Sequence, residues 1–170
     1  MGLVDEVAES VKIPGGVVVG HDGSTCAQEA LTWAAGLAAR AGVELHVVRV
    51  WQLTTAPRPA SWEPGYIPPM SEFEKAVYDE LCRHVAAAGI PSKTSVACHV
   101  SHAPAVRGLL QAAEEADLLV VGARGQGGFA GLLLGSVSEQ CVRHASCPVT
   151  VVRTGTGRSH TWPAPAAADV

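Results

Sequence analysis

The chain has 170 residues, enough for one domain of ordinary size and too few for two catalytic domains. Its 48% hydrophobic and 16% charged residues describe a well-packed globule, and a net charge of -4 with no cluster of Lys or Arg gives no electrostatic reason to bind nucleic acid. No apolar run approaches the roughly 18 residues of a membrane span, and no basic segment followed by a hydrophobic one opens the chain, so a cytoplasmic protein without a membrane partner is expected.

Val17 to Gly20 reads as a short buried strand ending in His21-Asp22-Gly23-Ser24. Apolar residues then recur at Ala27, Leu31, Ala34 and Ala38, the spacing of a helix face, with Ser24 or Thr25 as its cap and Gly42 as its end. Val43 to Val50 is a second strand, so rich in Val that burial on both faces is expected. Five prolines between Trp51 and Met70 exclude a regular helix or an inner strand and predict a long surface loop. Its aromatics, Trp51, Trp62 and Tyr66, either cover a ligand near the strand ends or pack against the sheet edge.

Phe73, Val77, Leu81 and Val85 step at helical spacing towards Gly89. Lys93 to His99 reads as a third strand, and Ala105, Val106, Leu109, Leu110 and Ala113 mark a third helix. Leu118 to Val121 is a fourth strand, Gly135 to His144 a fourth helix, and Val149 to Val152 a fifth strand. Strict β/α alternation predicts an α/β fold with a parallel sheet and helices on both faces. Ligands bind such sheets at the carboxyl ends of the strands, where the winding direction reverses. The loops after the first and fourth strands would meet there if those strands are neighbours.

The segment after the fourth strand holds Gly122, Gly125, Gly127, Gly128 and Gly131 and ends at Gly135-Ser136. Glycines between a buried strand and a helix let backbone N–H groups approach an anion that side chains would block. The Gly-Lys-Ser/Thr ending of a P-loop is absent, so no lysine reaches the outer phosphates of a nucleoside triphosphate. Gly125 to Ala130 does fit the dinucleotide pattern G-x-G-x-x-A, but the next strand ends in Val152-Arg153-Thr154 without the acidic residue that would hold a ribose. Only one strand remains after the loop, too little for a dinucleotide-binding half.

The spacing Gly122-x2-Gly125-x9-Gly135-Ser136, with Val17 to Ser24, Asp117 to Gly122 and Cys147 to Val152 around it, resembles the universal stress protein family of the ATP-binding type over about residues 15–153. The resemblance implies a doubly wound five-stranded parallel sheet of order 3-2-1-4-5, the adenine nucleotide alpha hydrolase-like fold, flanked by an N-terminal extension (1–14) and a flexible C-terminal tail (154–170). It implies Asp22 near ribose or phosphates through a divalent cation, Mg or Mn, carried by the ATP, with no metal held directly by the chain. Gly20 would lie against the nucleotide, Val50 and Val121 would line the adenine pocket, and Gly122 and Gly125 would bring amides to ribose and phosphates. Gly135, Ser136 and Val137 would present a helix N-terminus to the phosphates. Arg124 adds a charge by its place in the loop.

Blander accounts stand beside these. Asp22 also suits an Asx turn or a helix cap, and Val50 and Val121 also suit the core. Cys141, His144 and Cys147 have soft or borderline ligand character but lack a fourth partner. Five scattered cysteines predict reduced, mostly buried thiols. An apolar edge at Val149, Val151 and Val152 predicts a homodimer through strand 149–152, which is also how the family assembles. With no assembled nucleophile, base and leaving-group acid, the chain reads as an ATP-binding stress-response or signalling module and not an enzyme, at most a slow ATP hydrolase. The alternative is a small enzyme acting on an adenylated or phosphorylated substrate on the same scaffold. On this reading Gly122→Val with Ser136→Ala should weaken nucleotide binding and leave the domain folded.

Overall fold

The computed structural model describes residues 7–126 and 133–154. Five strands, β1 (Val17–Gly20), β2 (Leu45–Trp51), β3 (Val96–His102), β4 (Leu118–Gly122) and β5 (Val149–Val152), form one parallel sheet in the order β3-β2-β1-β4-β5. Four helices connect them: α1 (Thr25–Ala41), α2 (Met70–Ala87), α3 (Ala105–Ala112) and α4 (Ser136–His144). Val17 faces Leu45 on one side and Leu118 on the other, so β1 is the central strand and the winding reverses between β1 and β4. Strand order, parallel pairing and the doubly wound arrangement agree with the sequence-based expectation.

The period of two along each strand sorts the apolar side chains onto two faces. Val17, Val19, Val47 and Val120 pack under Ala30, Leu31, Ala34 and Ala38 of α1 and Leu81 of α2. Val18, Val48, Leu119 and Val121 pack under Leu109 and Ala112 of α3 and Cys141 of α4. All four residues of β1 are buried, as a central strand covered on both faces requires. Ile13, ahead of β1, joins the second face at 2% exposure, and the His102 N–H donates to Ala8 O at 2.7 Å. The segment ahead of β1 is thus tied to the sheet at Ile13 and at the Ala8 carbonyl, while Ala8, Glu9, Ser10, Lys12 and Pro14 are exposed.

Boundaries moved where turns took residues from strands. Gly42 adopts φ 69°, and the N–H groups of Gly42 and Val43 both donate to Ala38 O, so Val43 belongs to the end of α1 and β2 starts at Leu45. The Thr94 N–H donates to Pro91 O, a turn that delays β3 to Val96, three residues past the expected start. Ser24, not Thr25, caps α1, its Oγ accepting the Ala27 N–H at 3.1 Å.

The proline-rich stretch is largely exposed, with a single bridge between Glu63 and Tyr66. Trp51 is no part of it: it ends β2 and packs with Phe73 and Val77 at 1% exposure. Trp62 and Tyr66 stay exposed, and the Arg58 guanidinium sits 4.4 Å over the Trp62 ring. The expectation of mostly buried thiols holds for Cys26 and Cys141 alone; Cys82 on α2, Cys98 on the edge strand β3 and Cys147 ahead of the edge strand β5 are half-buried. β5 is an edge strand with Val149 and Val151 half-buried. The tail 155–170 and the loop glycines Gly127, Gly128 and Gly131 lie outside the described residues.

A Cβ on Gly42 would meet no heavy atom within 4 Å, so its need for glycine is one of backbone conformation. Gly42→Ala is expected to cost about 1 kcal/mol, read as a lower urea midpoint with an unchanged slope.

Candidate functional site

Since β1 and β4 are neighbours, the turn after Gly20 and the loop after Gly122 open side by side at the carboxyl end of the sheet. Asp22 ties them together. Its Oδ1 accepts the Ser24 N–H at 3.0 Å, an Asx turn, and its Oδ2 accepts the Gln126 N–H at 3.0 Å from the other loop. The Gln126 side-chain amide returns the contact by donating to Asp22 O at 3.2 Å.

The glycines divide into two kinds. A Cβ on Gly125 would lie 2.5 Å from Asp22 Oδ2, and one on Gly122 would lie 2.9 Å from the Cys26 carbonyl carbon at the start of α1. Both are glycines because the protein itself occupies that space, whatever else their amides meet. Gly135 differs. Its φ of -76° is open to any residue, and a Cβ there would make ordinary contacts of 3.5 Å or more with Ala123 O, Arg124 Cα and Gly125 N. Nothing in the described fold demands a missing side chain at that point.

Gly135 is the N-cap of α4 and has no side chain with which to cap it, leaving the first N–H groups of the helix without that partner. Its own N–H donates to Ala123 O at 2.7 Å, and the Ser138 hydroxyl lies 2.9 Å from both Ala123 O and Gly135 O, so the helix start is pinned to the end of β4. Ser136 is exposed beside it, and Val137 is half-buried.

These groups border a cavity of about 830 Å³, within the usual range of small-molecule sites. All ten residues singled out from the sequence line it: Gly20, Asp22, Val50, Val121, Gly122, Arg124, Gly125, Gly135, Ser136 and Val137. Val50 and Val121 also belong to the core face under α3, so the core reading of these valines holds alongside their place in the cavity wall. The sequence reading missed Leu109, whose methyls would lie 3.0 and 3.1 Å from a Cβ on Gly20. It also missed Gly108, where a Cβ would strike Val50 Cγ1 at 2.6 Å and lift α3 off the apolar wall.

A polar wall was missed entirely. The Gly23 N–H donates to His21 Nδ1 at 3.2 Å, which leaves His21 Nε2 to carry the proton and donate to Gln28 Oε1 at 3.1 Å. Gln28 Nε2 in turn donates to His84 O at 3.0 Å. Burial pushes the His21 pKa below 6.5; the hydrogen bond to Gln28 opposes that, and the neighbouring charges of His84 and Arg49 add to it. Arg49, 6% exposed, donates from Nη2 to Glu80 Oε2 at 3.4 Å and to Thr55 O at 3.5 Å. A charged residue in the Val-rich run of β2 was the available signal, since a buried guanidinium needs a polar reason.

Among the described residues no three His, Cys, Asp or Glu side chains gather as a metal site. Cys141 is wholly buried and its thiol is pushed up to about 11 by that burial. Among the described residues no helix is long and apolar enough to cross a membrane.

The sheet order, with a cavity at the carboxyl ends of β1 and β4, is that of a doubly wound α/β domain. Residues 16–153 match the model of the universal stress protein family, and the chain belongs to that family. A universal stress protein of Mycobacterium tuberculosis is 35% identical over 156 residues, covering 81% of this chain and 47% of the relative. One from Mycolicibacterium smegmatis is 34% identical over 154 residues, covering 88% and 48%. The chain therefore spans about half the length of these curated relatives. Among solved structures, a universal stress protein in complex with cAMP superposes with a TM-score of 0.58 at 29% identity, covering 85% of this chain and 99% of its own. A universal stress protein from Lactobacillus plantarum, at 22% identity and a TM-score of 0.60, covers 85% and 100% and shares the fold.

Two outcomes follow from the site. Gly122→Val should lower the thermal midpoint, because its side chain would displace the backbone of Cys26; the expectation that this variant leaves the fold intact is corrected by that contact. His21 is neutral in the folded state with its pKa below the unfolded 6.5, so its contribution to stability is complete above 6.5 and declines as pH falls through the lowered folded value. An NMR titration should find the His21 ring protonating below 6.5, and a value above it would contradict the burial argument.

Proposed function

We propose that the cavity binds an adenine nucleotide, ATP together with Mg or Mn, and that the chain is a nucleotide-dependent stress-response or signalling module and not an enzyme. The observation that carries this reading is Gly135: a glycine that no contact among the described residues requires, at the N-terminus of α4 without a side-chain cap, facing a cavity with an apolar side at Val50, Val121 and Leu109. Phosphate oxygens suit the open N–H groups and the helix dipole, and an adenine suits the apolar side. The neighbour solved in complex with cAMP supports the same class of ligand.

Asp22 stands at the phosphate side with both carboxylate oxygens accepting backbone N–H groups, so a divalent ion would be held chiefly by the nucleotide, with Asp22 supplying charge. Both nitrogens of His21 are engaged in hydrogen bonds, which supports holding a ligand over turning it over. A homodimer through strand 149–152 would pair the open edge of β5, and a site in the cytoplasm would supply ATP.

Purified protein should release an adenine nucleotide on denaturation, or bind one when titrated in the apo form with ATP, ADP and cAMP in the presence and absence of Mg. Gly135→Val should weaken affinity by about tenfold or more, and Ser136→Ala by about threefold to tenfold, with thermal midpoints near that of the parent. Absence of both bound nucleotide and measurable affinity overturns the reading; rapid turnover dependent on Asp22 transfers it to the enzyme alternative.

A further inference from the structure

The turn after β1 gathers a second set of donors, set apart from the start of α4. Gly23 has φ 85°, and a Cβ on it would lie 3.1 Å from Arg49 Nη1, 3.2 Å from Gln126 Nε2 and 3.8 Å from His84 Nε2. Three nitrogens, from β2, from the loop after β4 and from α2, therefore border one point on the bare face of this glycine. Arg49 and Gln126 also line the cavity.

Each of these nitrogens has donor capacity left over among the described residues. The hydrogen bonds of Arg49 leave from Nη2 alone, to Glu80 Oε2 at 3.4 Å and Thr55 O at 3.5 Å, both long for a charged donor. Glu80 thus meets the guanidinium at one nitrogen, without the two parallel bonds of a closed arginine–carboxylate pair, and Nη1 keeps its two N–H groups beside Gly23. Gln126 Nε2 spends one N–H on Asp22 O and keeps the other. His84 enters the polar wall through its backbone carbonyl, which leaves ring Nε2 for a ligand. The nearby carboxylates are already engaged, Glu80 by Nη2 and Asp22 by two backbone N–H groups. A guanidinium only 6% exposed is costly to hold with its donors unmet. Water brings no charge and has two lone pairs for three donors; a phosphate oxygen brings charge and accepts from all of them.

We propose that Arg49, Gln126 and His84 form an oxyanion subsite on the polar wall of the cavity, beside the turn 21–24, that takes a phosphate group. Arg49 supplies the charge and two N–H groups, Gln126 its second amide N–H, and His84 the Nε2–H of its ring. None of the three belongs to α4, so the subsite stands whether or not a nucleotide binds at Gly135. The same chemistry serves free inorganic phosphate and a further phosphate of a ligand already in the cavity.

Full-length protein freed of bound ligand is titrated with inorganic phosphate while the side-chain nitrogen signals of Arg49, Gln126 and His84 are followed by NMR. All three should shift on one binding curve, with the proton on His84 Nε2 in the bound form. Arg49→Lys should weaken phosphate affinity about tenfold or more and Gln126→Ala about threefold to tenfold. Lys75→Gln, at an exposed cation on α2, should leave it as in the parent. Gln126 is exposed, so its variant carries the test even where Arg49→Lys does not fold. ATP and AMP then separate the two sources: a nucleotide phosphate that reaches the subsite makes ATP displace inorganic phosphate and makes Arg49→Lys weaken ATP more than AMP, whereas free phosphate as the ligand binds alongside either nucleotide. Phosphate binding here without any nucleotide affinity keeps this subsite and removes the nucleotide reading. No shift up to about 10 mM phosphate, where a millimolar site is filled, shifts at the Ser136 and Val137 N–H groups alone, or undiminished affinity in Gln126→Ala would overturn the proposal.

Discussion

The site depends on one carboxylate shared between two loops. Asp22 closes the turn after β1 with one oxygen and holds the Gln126 N–H of the loop after β4 with the other. Charge-assisted bonds from backbone N–H groups are stronger than neutral ones, and here they hold together segments 104 residues apart in sequence. The close fit of Gly125 follows from this: any Cβ would occupy the place of the Asp22 oxygen. The first residues of the loop after β4, up to Gln126, are therefore positioned by the protein's own contacts.

The glycines then do separate jobs that a motif records with one letter. Gly122 lets the first turn of α1 lie against β4, Gly108 lets α3 lie against Val50, and Gly125 admits Asp22. These three set the distances between layers. Among the described glycines of that loop, Gly135 alone leaves a Cβ at ordinary contact distances of 3.5 Å or more, which is why the proposed nucleotide site rests on it. Interiors are packed too densely for the first group to be exchanged without moving a helix.

The cavity is asymmetric as a result of the strand period. At the end of β2, Val50 points to the α3 face and Arg49 to the α1 and α2 face, so an apolar side and a polar side meet across one strand. On the polar side the hydrogen bonds run without a break from Gly23 through His21 and Gln28 to His84, each donor and acceptor fixed by the next. Burial keeps that chain neutral and oriented.

The sequence by itself determined the element types and the parallel sheet, because hydrophobic period and punctuating glycines and prolines are local signals carried by neighbours in the chain, whereas nine of the ten cavity residues came through the family resemblance and Arg124 through its place in the loop. β5 was legible to the residue, since Pro148 and the valines after it leave no other reading. The starts of β2 and β3 were not, because the cap at Gly42 and the turn at Pro91 decide them through hydrogen bonds that composition does not display. Only the tertiary structure could separate the glycines that the fold needs from the one it does not, set Trp51 in the core, and bring His21, Arg49 and Glu80 to one wall. Those facts rest on which atoms of distant segments compete for the same space and the same hydrogen bonds, and that competition exists only once the sheet has closed.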